Sequence, residues 1–127
     1  MTQIGRDQAS FGDNYPFGNI IPVPGAGSLQ LLGPGSTLVG ARIFSAATLT
    51  SASIQVDAAD SSRAYNLSIR VNGVEVATLA LPAGAAGASR TDLSIPVAAN
   101  DLLTAFLVKT SGAGISTFTR QYATVGK

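Results

Sequence analysis

From residue 37 onward the chain breaks into short runs rich in Val, Ile, Leu, Thr and Phe, separated at intervals of roughly 8 to 12 residues by Gly, Asn, Asp, Ser or Pro. That rhythm predicts strands over 37–45, 48–56, 64–71, 74–81, 91–98, 102–109 and 115–123, with a short one at 29–32. Windows free of Gly and Pro are filled with β-branched residues and lack the i, i+3, i+4 apolar stripe, so no helix is expected. Seven or eight strands of this kind suit an all-β, antiparallel β-sandwich.

The clearest local signal is the run AYNLSIRV-NG-VEVATLAL, residues 64–81. Asn72-Gly73 suits a two-residue type I′ turn, which needs positive φ at both central positions. Two-residue closure sets Val71 opposite Val74, Ile69 opposite Val76, Leu67 opposite Thr78 and Tyr65 opposite Ala80 on one face. The same register sets Arg70 opposite Glu75 on the other face, an opposite-charge cross-strand pair.

In that register Leu79 and Leu81 point to the face carrying Glu75, and the run Leu102 to Val108 is apolar on both faces. A two-layer sandwich buries only one face per sheet, so the pattern implies surplus apolar surface. Leu79, Leu81, Phe106 and Leu107 are therefore the candidate oligomer interface. The alternative is a bulge or strand twist that restores one-sided burial.

Residues 1–36 read differently from the sandwich domain at 37–127. They carry Pro16, Pro22, Pro24 and Pro34 among several glycines and show no sustained period. Missing backbone donors and a high ordering entropy argue against a regular element there. The segment is expected to be an extended arm docking on its own sandwich or on a neighbouring subunit. Phe11, Tyr15, Phe17, Ile20 and Ile21 are its candidate anchors.

The chain has 127 residues, one domain's worth, with 8 basic and 7 acidic side chains and a net charge of +1. No basic cluster marks a nucleic-acid or anionic-lipid footprint. No apolar run approaches the roughly 20 residues that span a bilayer, and the first residues lack a secretory signal pattern, so a soluble chain is expected. Without Cys, His or Trp there is no thiol nucleophile, no imidazole base and no zinc site built on nitrogen or sulfur.

What remains is sparse. The carboxylates other than Glu75 fall in predicted turns, strand ends or the arm, where Asp ordinarily bonds its own backbone. Asp57 and Asp60 are too few for a calcium site, and only Lys109 or Lys127 could serve a serine nucleophile. The glycine clusters lack the Lys and Ser/Thr of a phosphate loop. Catalytic residues, metal ligands and cofactors are not expected.

The stretches SIQVDAADSSRAYNLSIRVNGVEVATLALPAG and NDLLTAFLVKTSGAGISTF resemble the small jelly-roll domains of tailed-bacteriophage virion proteins. The likeness rests on the RAYNLSIRVNG hairpin, the loop Pro82 to Gly87 and the closing pair LLTAFLVKTSG and ISTF. It implies a homotrimeric head decoration or cement protein that is made in the bacterial cytoplasm and binds the major capsid protein on the virion surface. A fibre or receptor-binding module is the alternative, with the loops at 57–63, 82–90 and 111–114 facing a cell-surface glycan.

Overall fold

A computed structural model describes residues 14–35 and 37–127, and among them there is no helix. Strands β1 (Asn14–Asn19), β5 (Ser51–Val56), β8 (Gly87–Arg90) and β11 (Gln121–Gly126) form one antiparallel sheet in the order β1-β11-β5-β8. Strands β2 (Ser28–Leu31), β6 (Ala64–Val71), β7 (Val74–Leu81) and β10 (Leu102–Ser111) form a second, in the order β2-β10-β6-β7. The short β3 (Ala41–Arg42) continues the β2 edge farther along β10. A third ladder joins β4 (Ala47–Leu49) to β9 (Ile95–Val97) and prolongs the β5–β8 pairing, with Leu93 N–H donating to Thr50 O between them.

The two large sheets close on each other over inward-facing rows. Ala52, Ile54, Val56, Ala123 and Val125 come from the first sheet, and Leu67, Ile69, Leu103, Ala105 and Leu107 from the second. All are buried, as the period-two alternation of a half-buried strand requires. The long connections after β1, β5, β7 and β10 gather at one end of the sandwich, and the β6–β7 turn lies at the other.

The expected hairpin forms with the expected turn: Asn72 and Gly73 have φ of 53° and 84°. Val71 pairs with Val74 and Arg70 with Glu75 as anticipated. Beyond them the register departs from the simple reading. Val76 is an extra residue, a β-bulge, so Ile69 faces Ala77, Leu67 faces Leu79 and Tyr65 faces Leu81. One extra residue reverses the facing of everything after it. Leu79 and Leu81 thus point inward and are 5% and 1% exposed.

Residues 14–35 dock on their own sandwich, one of the two expected alternatives, but they do so as regular strands. Tyr15 and Phe17 lie on the inner face of β1, which pairs along its whole length with β11, and Leu29 and Leu31 do the same from β2. Pro16 faces outward on an edge strand, where its missing donor costs no ladder bond. The supposed arm thus supplies an edge strand to each sheet, and Gly18 and Leu32 exchange backbone hydrogen bonds where the two edges meet.

The expected strand at 37–45 shrinks to β3 because residues 32–35 and 37–40 loop out from the edge. The loop closes at its base through glycine. A Cβ at Gly33 would sit 2.7 Å from the Gly40 backbone, and one at Gly40, where φ is +91°, would sit 2.5 Å from Leu103 O. β8 arises from AlaGly-rich sequence without strand propensity because its backbone completes the exposed edge of β5. The last strand begins at Gln121 rather than 115, since Ser116 is tied across to Val23, its N–H donating to Val23 O and its Oγ accepting from Val23 N, while the same Oγ donates to Phe118 O.

Deleting Val76 removes the bulge and lets regular alternation carry Leu79 and Leu81 inward, so the deletion costs no more than about 1 kcal/mol. Thermal melting with amide exchange across β7 checks this, and an unfolded variant would count against the bulged register. Gly40→Ala, by contrast, costs about 1 to 3 kcal/mol through the left-handed backbone and the contact with β10.

Candidate functional site

The structure distributes the candidate residues unequally. Tyr15 and Phe17 are core residues of their own chain, as are Leu79, Leu81 and Leu107. Five of the nine proposed contact positions are therefore already buried within one subunit. Phe106 stands on the outer face of the second sheet, half-covered by the Arg70 guanidinium 4.0 Å above its ring. Ile20 and Ile21 are 76% and 50% exposed. Phe11 lies outside the described residues.

Among the described residues, five of the nine large exposed apolar side chains flank β1, β2 and β3, the others being Val74 and Val76 on the hairpin, Ile115 and Tyr122. Ile20 and Ile21 follow β1, Leu38 and Val39 crown the β2–β3 loop, and Phe44 follows β3. Pro34 joins them. It lines both an open groove of about 530 Å³ shared with Ile20 and Tyr122, and a second of about 380 Å³ shared with Phe44 and Arg42. Sequence periodicity missed Leu38, Val39 and Phe44 because it assigned them to a strand with an inner face.

This side is held firmly. Ile20 N–H donates to Asn19 Oδ1 at 2.8 Å, and Gln121 Nε2 donates to Ile21 O at 2.8 Å. Gln30 Nε2 donates to Leu38 O, and Arg42 Nη1 to Asn100 O at 2.9 Å beside Phe44. Apolar groups on a fixed backbone lose little conformational entropy when a partner covers them.

The carboxylates serve loops. Asp60, 2% exposed, accepts from Tyr65 Oη at 2.8 Å, Ser62 N at 3.1 Å, Thr117 N at 3.2 Å and Arg63 Nη1 at 3.3 Å. It thereby fastens the loop before β6 to the loop before β11. The Tyr65 ring meets Phe118 edge-on at 4.9 Å directly beneath. Asp57 accepts from the backbone N–H of Thr119 and Arg120, and Asp101 from Ala98 N and Asn72 Nδ2. Glu75 and Arg70, paired in register, are bridged by Ser68, which donates to Glu75 Oε1 at 2.6 Å and accepts from Arg70 Nε at 3.1 Å.

No group of three or more potential metal ligands occurs among the described residues. Lys109 Nζ donates to Gly25 O and Gly114 O, holding two loops together. Among the described residues no helix is long and apolar enough to cross a membrane.

Burial acts to raise the Asp60 pKa, but its four hydrogen-bond donors together outweigh that effect and hold the carboxyl below its ordinary range. The backbone N–H of Arg120, then that of Thr119, lowers Asp57 in the same direction. Burial, reinforced by the Asp60 hydrogen bond, pushes the Tyr65 phenol well above its usual value.

A scan against protein-family models finds no match to the chain, and a search of curated proteins likewise finds none.

Because Asp60 and Asp57 are more acidic folded than unfolded, their stabilisation is complete above the unfolded carboxylate pKa of about 3.9 and is lost as pH falls through the folded values. The melting temperature should hold through neutral pH and drop in acid. Asp60→Asn should cost about 1.5 to 3 kcal/mol at neutral pH and flatten the acid limb, as read by calorimetry from pH 2 to 7. An unchanged acid limb in that variant would assign the loss to other carboxylates.

Proposed function

We propose that the chain is a structural protein of a tailed-phage virion, a head decoration protein of jelly-roll type that binds the coat lattice as a homotrimer. Its strand order supports the jelly-roll reading. Eight principal strands lie in two four-membered sheets, β1-β11-β5-β8 against β2-β10-β6-β7, with β3 extending the β2 edge. Each sheet takes strands from early and late in the chain, the arrangement produced when two Greek keys wrap around one core.

The observation that carries the functional reading is the rigid apolar side made by Ile20, Ile21, Leu38, Val39 and Phe44. Large exposed apolar residues gathered on one side of a folded domain mark a surface that a partner covers. Burying each contributes roughly 1.5 to 3 kcal/mol, so a few per subunit suffice to clamp a shell whose opening would expose them again. A net charge of +1 suits many copies lying close together without mutual repulsion. This side replaces the arm as the attachment surface, since Tyr15 and Phe17 are engaged in the core.

The test is binding to shells assembled from the coat protein of the same virion. The protein should bind them and raise their melting temperature, and the combined variant Ile20→Asp, Phe44→Asp should weaken binding by about a hundredfold or more while remaining folded. Shells indifferent to the wild-type protein would remove the reading. Light scattering should give three times the 12.8 kDa chain mass, and a monomer at all concentrations would remove the trimer.

A further inference from the structure

The outer face of the β1-β11-β5-β8 sheet carries a feature that the decoration role does not use. Across its strands the register aligns Gly18, Tyr122, Gln55 and Gly87 in one row, and Pro16, Thr124, Ser53 and Ser89 in the next. Tyr122, flanked across the strands by Gly18, which has no side chain, and by Gln55, is 56% exposed. Beside it lies an open trough of about 520 Å³, lined by Tyr122, Thr124, Ser53, Gln55 and Ser89.

We propose that this trough binds a neutral saccharide, with a pyranose ring stacked on Tyr122 and its hydroxyls exchanging hydrogen bonds with Gln55, Ser53, Thr124 and Ser89. A sugar ring has an apolar face of C–H groups and an equatorial rim of hydroxyls. The trough offers the complement of both, one aromatic plane and a set of amide and hydroxyl groups that each donate and accept. Ser53 Oγ and Thr124 Oγ1 already bond each other at 2.7 Å, and each hydroxyl oxygen keeps further hydrogen-bonding capacity. No charged side chain lines it, so nothing selects an anion or a cation.

Rigidity favours the assignment as well. All five lining side chains named stand on β5, β8 and β11, central or paired strands rather than loops, so little ordering accompanies binding. The place differs from the loop tips expected of a glycan-binding module, and it shares only Tyr122 with the groove beside Ile20, its hydroxyl and amide groups lying on β5, β8 and β11 away from that groove. The inference therefore stands or falls independently of attachment to a capsid.

The chain contains no Trp and three Tyr, of which Tyr15 and Tyr65 are buried, so acrylamide quenching of tyrosine emission reports chiefly on Tyr122. The full-length protein should be titrated with cellohexaose, maltoheptaose, laminarihexaose and chitohexaose, by quenching protection and by calorimetry. At least one should protect Tyr122. Tyr122→Ala should weaken that binding by about tenfold or more, while Tyr122→Phe, which keeps the ring, should stay within about threefold. Both variants lie on an outer face, and unchanged melting shows that they fold. Failure of all four sugars at millimolar concentration would overturn the proposal, as would binding unaffected by Tyr122→Ala. Binding that weakens steeply with salt would reassign the site to an anionic ligand held by nearby Arg120 and equally overturn it.

Discussion

One extra residue in β7 sets the phase on which the sandwich depends. Up to Glu75 the hairpin alternates as its turn dictates, and after the bulge at Val76 the alternation restarts one position later. Leu79 and Leu81 then join Leu67 and Tyr65 on the inner face, at a burial value of roughly 1.5 to 3 kcal/mol each. A hairpin without the bulge would present both leucines to water and Thr78 and Ala80 to the core. At these positions the bulge removes the surplus apolar surface that an uninterrupted ladder would expose.

Closure of the sandwich then recruits the N-terminal segment. Both sheets would otherwise end on open edges, and β1 and β2 cover β11 and β10 with backbone that proline and glycine had seemed to disqualify. Proline is tolerated because an edge strand has a solvent side, and glycine is needed where backbones approach closely, as Gly33 and Gly40 do. The residues left over at these edges, Ile20, Leu38, Val39 and Phe44, face water. Edge formation thus creates both the internal closure and the exposed apolar side.

Polar groups divide the remaining tasks. Asp57 and Asp60 lock the loops at one end, while Asp101 and Asn72 lock the opposite end beside the hairpin turn. The carboxylates gather backbone N–H groups that have no ladder partner, which is the cheapest way to order long connections in a chain without disulfides. With these side chains committed to loops, the outer sheet face around Tyr122 is left with neutral hydroxyls, an amide and one ring.

The sequence alone determined whatever depends on neighbours along the chain. The all-β class, the Asn72-Gly73 turn, the pairing of Arg70 with Glu75 and the inner row of β6 all follow from alternation and from positive-φ chemistry, which are local, whereas the run in β10 is apolar on both faces and alternation alone does not orient it. The tertiary structure decided the rest. Whether Val76 bulges is settled by what Leu79 and Leu81 gain on the far side of the core, and whether Tyr15 and Phe17 form a strand is settled by a free edge on β11, more than a hundred residues away. The exposure of Phe44, Leu38 and Tyr122 was invisible for the same reason: a side chain's face is fixed by the partner its backbone finds, and those partners are distant in the chain.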